Sequence, residues 1–135
     1  MITYDVAQRM IAAAHSEAAR RSVRVSAAVV DAGGHLIAFG RMDGAEIAGP
    51  TLAIDKAYTA VSNTIATSEL AGLAAPGGEL FGLHANGNGR FVIFGGGIPV
   101  LDDGVAVAAI GVSGAAVADD VACAEAGIAA LTRPR

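Results

Sequence analysis

The run Val-Val-Asp-Ala-Gly-Gly-His-Leu-Ile-Ala-Phe-Gly-Arg-Met-Asp-Gly, from Val29 to Gly44, constrains the fold more than any other stretch of the chain. Two apolar segments flank Asp31-Ala32-Gly33-Gly34, where Asp tolerates turn geometry and Gly supplies positive φ. The run therefore predicts a β-hairpin with strands over residues 23–31 and 36–42. Val25, Ala27 and Val29 fall on one face of the first strand, Ala28 and Val30 on the other. Both faces are apolar, so the sheet is expected to be covered on both sides, by helices or by another subunit. Arg41, Asp43 and Gly44 then put charge where a largely apolar sequence turns polar.

Residues 3–21 read as a helix capped by Thr3 or Asp5, with Val6, Met10, Ile11, Ala14 and Ala18 as its apolar stripe. Pro50 suits the first turn of a second helix, buried along Ile54, Ala57, Tyr58 and Val61. A short helix begins near Thr67 or Ser68 and ends before Pro76, and residues 75–89 are mostly loop. Strands are expected at 91–94, 98–101 and 105–112, separated by a turn at Gly95-Gly96-Gly97 and a tight hairpin at Asp102-Asp103-Gly104. A last helix carries Val117, Val121, Ala124, Ile128 and Leu131 on one face, with Asp119 and Asp120 near its positive end. The expected fold is α+β: a five-stranded antiparallel sheet with helices packed on it, residues 1–135 forming one domain.

Hydrophobic residues make up 53% and aromatics only 4%, so the apolar content is mainly small side chains that let helices lie close to a sheet. Charged residues, at 16%, are too few to cover the surface, which favours burial between subunits in a homo-oligomer. A net charge of −4, with Arg20-Arg21 and Arg133 isolated at segment ends, argues against nucleic acid as a partner. The sequence contains no bilayer-length apolar run, and Met1-Ile2-Thr3-Tyr4-Asp5 lacks the form of a secretory signal; a cytoplasmic location is expected. A lone Cys123 makes neither an intrachain disulfide nor a zinc site, and inert packing is its default.

Five short segments, in order, carry a resemblance: Val30-Asp31-Ala32-Gly33-Gly34, Arg41-Met42-Asp43-Gly44, Asp55-Lys56-Ala57-Tyr58-Thr59-Ala60, Gly95-Gly96-Gly97-Ile98-Pro99 and Ala109-Ile110-Gly111-Val112-Ser113-Gly114. With them the chain resembles the GlcG/HbpS-like (DUF336) family over nearly its whole length. The resemblance implies a profilin-like sandwich, self-association from dimers up to octamers, and haem binding in some members. Related domains occur beside glycolate-oxidation genes and at the C-terminus of a cobalamin adenosyltransferase.

His15 lies about a quarter-turn off the centre of the first helix's apolar stripe. It is either a haem-iron ligand, metal-binding through one ring nitrogen, or a surface or interface histidine satisfied by water. Lys56 and Arg41 stand out because positive charge is scarce. Lys56 either makes a structural ion pair, with Asp31 or Asp43 as the obvious partner, or joins Arg41 in clamping an anion such as a substrate or haem carboxylate. Ser113 and Gly114, between the last strand and helix, offer a hydroxyl and close backbone approach to a ligand; Ser113 could equally cap the helix. His84, in a glycine-rich loop, is a general base, a ligand or an ordinary loop residue.

The leading expectation is a small ligand-binding domain for haem or a similar carboxylate-bearing ligand, with His15, Arg41, Ser113 and Gly114 as binding residues. The first alternative is an enzyme for a small carboxylate or carbonyl metabolite, with Lys56, Asp43 and His84 as catalytic groups. A scaffold whose oligomerisation is its function is the second. Arg41, Asp43 and Lys56 are expected to converge near the start of the second helix, beside the Gly111–Gly114 corner.

Overall fold

A computed structural model describes residues 1–132, so Arg133 lies outside the described residues. Helix α1 spans Tyr4–Arg20, and Thr3 caps it by accepting the Val6 N–H at 3.2 Å. Its expected stripe is buried at Met10, Ile11, Ala14 and Ala18. The Val23 N–H still closes that helix on the Ala18 carbonyl, so strand β1, Ser26–Asp31, begins three residues later than the apolar pattern suggests. Asp31 folds the hairpin by accepting the N–H groups of Gly33 and His35 on Oδ1, and β2 follows at Leu36–Arg41.

Helix α2, Gly49–Asn63, carries Pro50 in its first turn as expected, and the short helix α3 is Thr67–Leu73. Strand β3 is Gly97–Asp102 and β4 is Val105–Ser113. Asp103 and Gly104 both adopt positive φ between them, the geometry of a primed two-residue hairpin turn. Helix α4 is Val117–Ala129. The sheet is antiparallel throughout, in the order β2-β1-β4-β3.

The sheet has four strands, not five. Residues 91–94 have strand-forming side chains but no ladder, because α2 claims them first. Thr59 accepts the Val92 N–H on its hydroxyl at 2.9 Å, and Phe91 stacks on Tyr58 with ring centroids 6.0 Å apart. The glycines that follow are less a turn than the entry to β3, with the Gly96 carbonyl accepting the Val112 N–H.

Helices cover both sheet faces. Helices α1 and α4 pack on the face carrying Val25, Ala27, Val29, Ile110 and Val112; α2 packs through Ala57, Ala60 and Val61 on Val30 and Ala109. Gly111 permits that second contact, since a Cβ there would lie 2.0 Å from the Ala53 carbonyl oxygen. On α4 the buried residues are Asp120, Cys123, Ala124 and Gly127, while Val117 is exposed. The buried face is thus rotated from the expected stripe and takes Cys123 into the core.

Candidate functional site

A groove of about 220 Å³ runs between α1 and the edge strand β2, lined by Tyr4, Gln8, Ile11, Ala12, His15, Ala38 and Phe39. Helical spacing produces it: Tyr4, Gln8, Ile11, Ala12 and His15 follow one another along one face of α1. The half-buried His15 donates from Nε2 to the Gly40 carbonyl at 3.0 Å. A carbonyl only accepts, so Nε2 carries the proton and the neutral ring keeps its lone pair on Nδ1. Burial lowers the pKa of His15 below 6.5, and the Gly40 bond opposes this only in part. The neutral imidazole is the form that binds a metal. Gly40 makes the fit possible, because a Cβ there would lie 2.8 Å from His15 Cε1.

Lys56 is elsewhere, and its partner is Asp120. It is completely buried, with Nζ donating to Val112 O at 2.9 Å and to Asp120 Oδ2 at 3.1 Å and lying 5.0 Å from the centroid of the Phe94 ring. Neither expected partner is used: Asp31 is engaged in the hairpin turn, and Asp43 is exposed. Burial lowers the Lys56 pKa and raises that of Asp120, each opposed by the other's charge. Asp120 also accepts the Ala115 N–H at 3.0 Å. Lys56 thus reaches from α2 past Gly96 to the helix on the opposite sheet face. Gly96 has φ +131°, and a Cβ there would lie 2.7 Å from Nζ.

At the corner expected to gather Arg41, Asp43 and Lys56, none of the three lines the cavity that is present. A cavity of about 500 Å³ is lined by Ser22, Val23, Arg24, Gly44, Ala45, Glu46, Gly114, Ala115 and Ala116. Arg41 is exposed and ties the loop by donating to the Ala45 carbonyl. Ser113 is buried opposite Ser26 in the β1–β4 ladder. It does not cap α4, whose N-cap residue is Ala116, without a side-chain bond. Gly114 has φ +146° and packs on the Arg24 backbone. Arg24 and Asp120 are the residues that sequence reasoning missed. Asp120 reads as an ordinary helix-start acid, and nothing local marks a partner 64 residues away.

His84 is exposed in a 3₁₀ turn, Leu83–Ala85, with its ring edge against Phe81. Nearby, Arg90 pairs with Asp55 at 2.9 Å and lies 3.8 Å over the Tyr58 ring, fixing the loop to α2. Lys56, Arg41, Asp43 and His84 line none of the His15 groove or the corner cavity. Among the described residues, no group of three or more His, Cys, Asp or Glu side chains is placed to hold a metal ion. No described helix is long and apolar enough to cross a membrane.

Residues 2–129 match the family model for haem-degrading protein HbpS-like. The chain belongs to this family. This HbpS-like chain is 39% identical over 124 residues to a 15.0 kDa protein encoded between dhaT and dhaS in Citrobacter freundii, covering 92% of this chain and 87% of that one. It is 35% identical over 130 residues to the corrinoid adenosyltransferase PduO of Salmonella typhimurium, covering 96% of this chain but only 39% of PduO. Among solved structures, the PduOC:heme complex superposes with a TM-score of 0.91 at 35% identity, covering 96% of this chain and 94% of that one. Haem binding is therefore a property found within the family.

Proposed function

We propose that this HbpS-like domain binds haem, with His15 as the protein ligand to iron. The observation that carries the reading is a neutral imidazole, oriented by a backbone carbonyl, in a groove that also presents Ile11, Ala12, Ala38 and Phe39. A metal-binding histidine commonly donates its other ring N–H to a carbonyl or carboxylate, which fixes the ring and raises its basicity. Haem, when bound, supplies a redox-active iron. Ile11, Ala12, Ala38 and Phe39 supply the apolar wall, and Gly40 leaves room for the ring.

The groove, at about 220 Å³, is smaller than the ~300–1,000 Å³ of pockets that enclose a ligand. It grips a flat ligand from one side, and a second copy of the chain is the proposed cover for the other. Tyr4 and Phe39, exposed at 60% and 38%, border that open side. The domain is read as a cytoplasmic homo-oligomer. Haem titration tests the proposal: a Soret band that develops with the wild type and weakens strongly with His15→Ala supports it, and equal binding by both overturns it.

The corner cavity favours a second reading, an enzyme or carrier for a small carboxylate or carbonyl metabolite. Arg24 supplies a guanidinium there beside the Gly114–Ala116 backbone, although Glu46 limits the net positive charge. Thermal-shift screening of small carboxylates, with Arg24→Gln as the control, tests that reading.

A further inference from the structure

The end of the groove away from His15 is built from a pair of polar side chains. Gln8 Nε2 donates to the Tyr4 hydroxyl oxygen at 2.9 Å, one helical turn apart on α1. The tyrosine oxygen is thus an acceptor toward Gln8, and its own proton has no acceptor among the described residues. Between this pair and His15 the groove is lined by Ile11 and Ala12, with Ala38 and Phe39 opposite. With a rise of about 1.5 Å per residue, Gln8 lies roughly 10 Å along the helix from His15, and Tyr4 roughly 16 Å. A metal-binding group, an apolar floor and a polar rim thus succeed one another along one face of one helix.

From this order we propose that Tyr4, oriented by Gln8, receives a carboxylate of the flat ligand whose metal His15 binds. The inference rests on the haem-binding reading above and adds the direction in which the ligand lies. The Tyr4 hydroxyl donates its free proton to the carboxylate, while the Gln8 amide holds the phenol in position from the other side. Among the described residues no lysine or arginine lines the groove, so within them recognition of this carboxylate falls to neutral donors. A ligand whose carboxylates are esterified keeps the apolar floor and the imidazole and offers Tyr4 only a neutral ester carbonyl, a weaker acceptor than a carboxylate.

That separation supplies the test. Haem and its dimethyl ester are titrated into the full chain with wild-type Tyr4 and with Tyr4→Phe, binding being read from the Soret band. Tyr4 is 60% exposed, so removing its hydroxyl leaves the core untouched. Tyr4→Phe is expected to weaken haem binding at least tenfold, the scale of a hydrogen bond to a charged group, and ester binding by only about threefold, the scale of one to a neutral acceptor. Gln8→Ala is expected to fall between wild type and Tyr4→Phe for haem, with a smaller effect on the ester. Equal weakening of both ligands, or of neither, overturns the role of Tyr4 even when binding still requires His15. No haem binding by the wild type, or binding indifferent to His15→Ala, overturns the underlying reading as well.

Discussion

Lys56 Nζ and Asp120 Oδ2 stand 3.1 Å apart, and both side chains are sealed from solvent, at 0% and 3% exposure. The pair joins helices on opposite faces of the sheet. Removing one partner leaves a buried charge alone, which typically destabilises by about 3–5 kcal/mol. Lys56→Met and Asp120→Asn should each lower stability on that scale in urea unfolding. The double substitution Lys56→Met with Asp120→Leu should recover part of the loss, because it removes the desolvation penalty of both charges while costing the bonds to the Val112 carbonyl and the Ala115 N–H. Single variants as stable as the wild type would remove the pair from the account of stability.

Gly40→Ala tests how the imidazole is held. A methyl group there meets His15 Cε1 at 2.8 Å and displaces the ring from the Gly40 carbonyl. Haem affinity should fall by at least tenfold, with a change in the Soret maximum. A substitution that alters neither would show that the carbonyl does not position the ring.

Acidification should destabilise the domain through His15. Its folded pKa lies below 6.5 because of burial, so the unfolded chain takes up the proton first. This contribution to stability is complete above about pH 6.5 and is lost as pH falls from there through the folded value. Urea midpoints measured between about pH 7.5 and 5.5 should fall more steeply for the wild type than for His15→Gln. Parallel slopes would exclude the effect.

Cys123 should be inert in the native state. Burial in the α1–α4 layer pushes its thiol up to about 11, with the Asp120 charge adding to the shift. Little thiolate exists near neutral pH, and the sulfur is covered. Thiol reagents should label it only on unfolding, at the rate read by loss of circular dichroism. Prompt labelling of the folded protein would contradict this burial.

Self-association can be tested directly. Sedimentation at micromolar concentration should show more than one chain, and Phe39→Glu, at the rim of the His15 groove, should shift the population toward monomer. A monomeric wild type would leave the open side of the groove without its proposed cover.

The parts of the fold written in local spacing were legible. The stripe on α1, the Asp31 turn and Pro50 in the first turn of α2 follow from periodicity and turn chemistry, and all three are present. Residues 91–94 misled because their side chains favour a strand while Thr59, more than thirty residues earlier, takes the Val92 N–H. His15 was visible as a residue, but its groove depends on Gly40, a glycine that the sequence presents only as part of an apolar strand. The partner of Lys56 was illegible for a related reason. Asp31 and Asp43 lie nearer along the chain, yet the sheet delivers Asp120.

The same separation sets an order of events during synthesis. Asp120 follows Lys56 by 64 residues, so at roughly 5–20 residues per second the lysine waits several seconds for its counter-charge. Until α4 emerges, closing α2 over Gly96 would bury an ammonium with no carboxylate to meet it. A nascent chain stalled before Asp120 should therefore remain open to protease, and the sheet should close only when its last helix arrives.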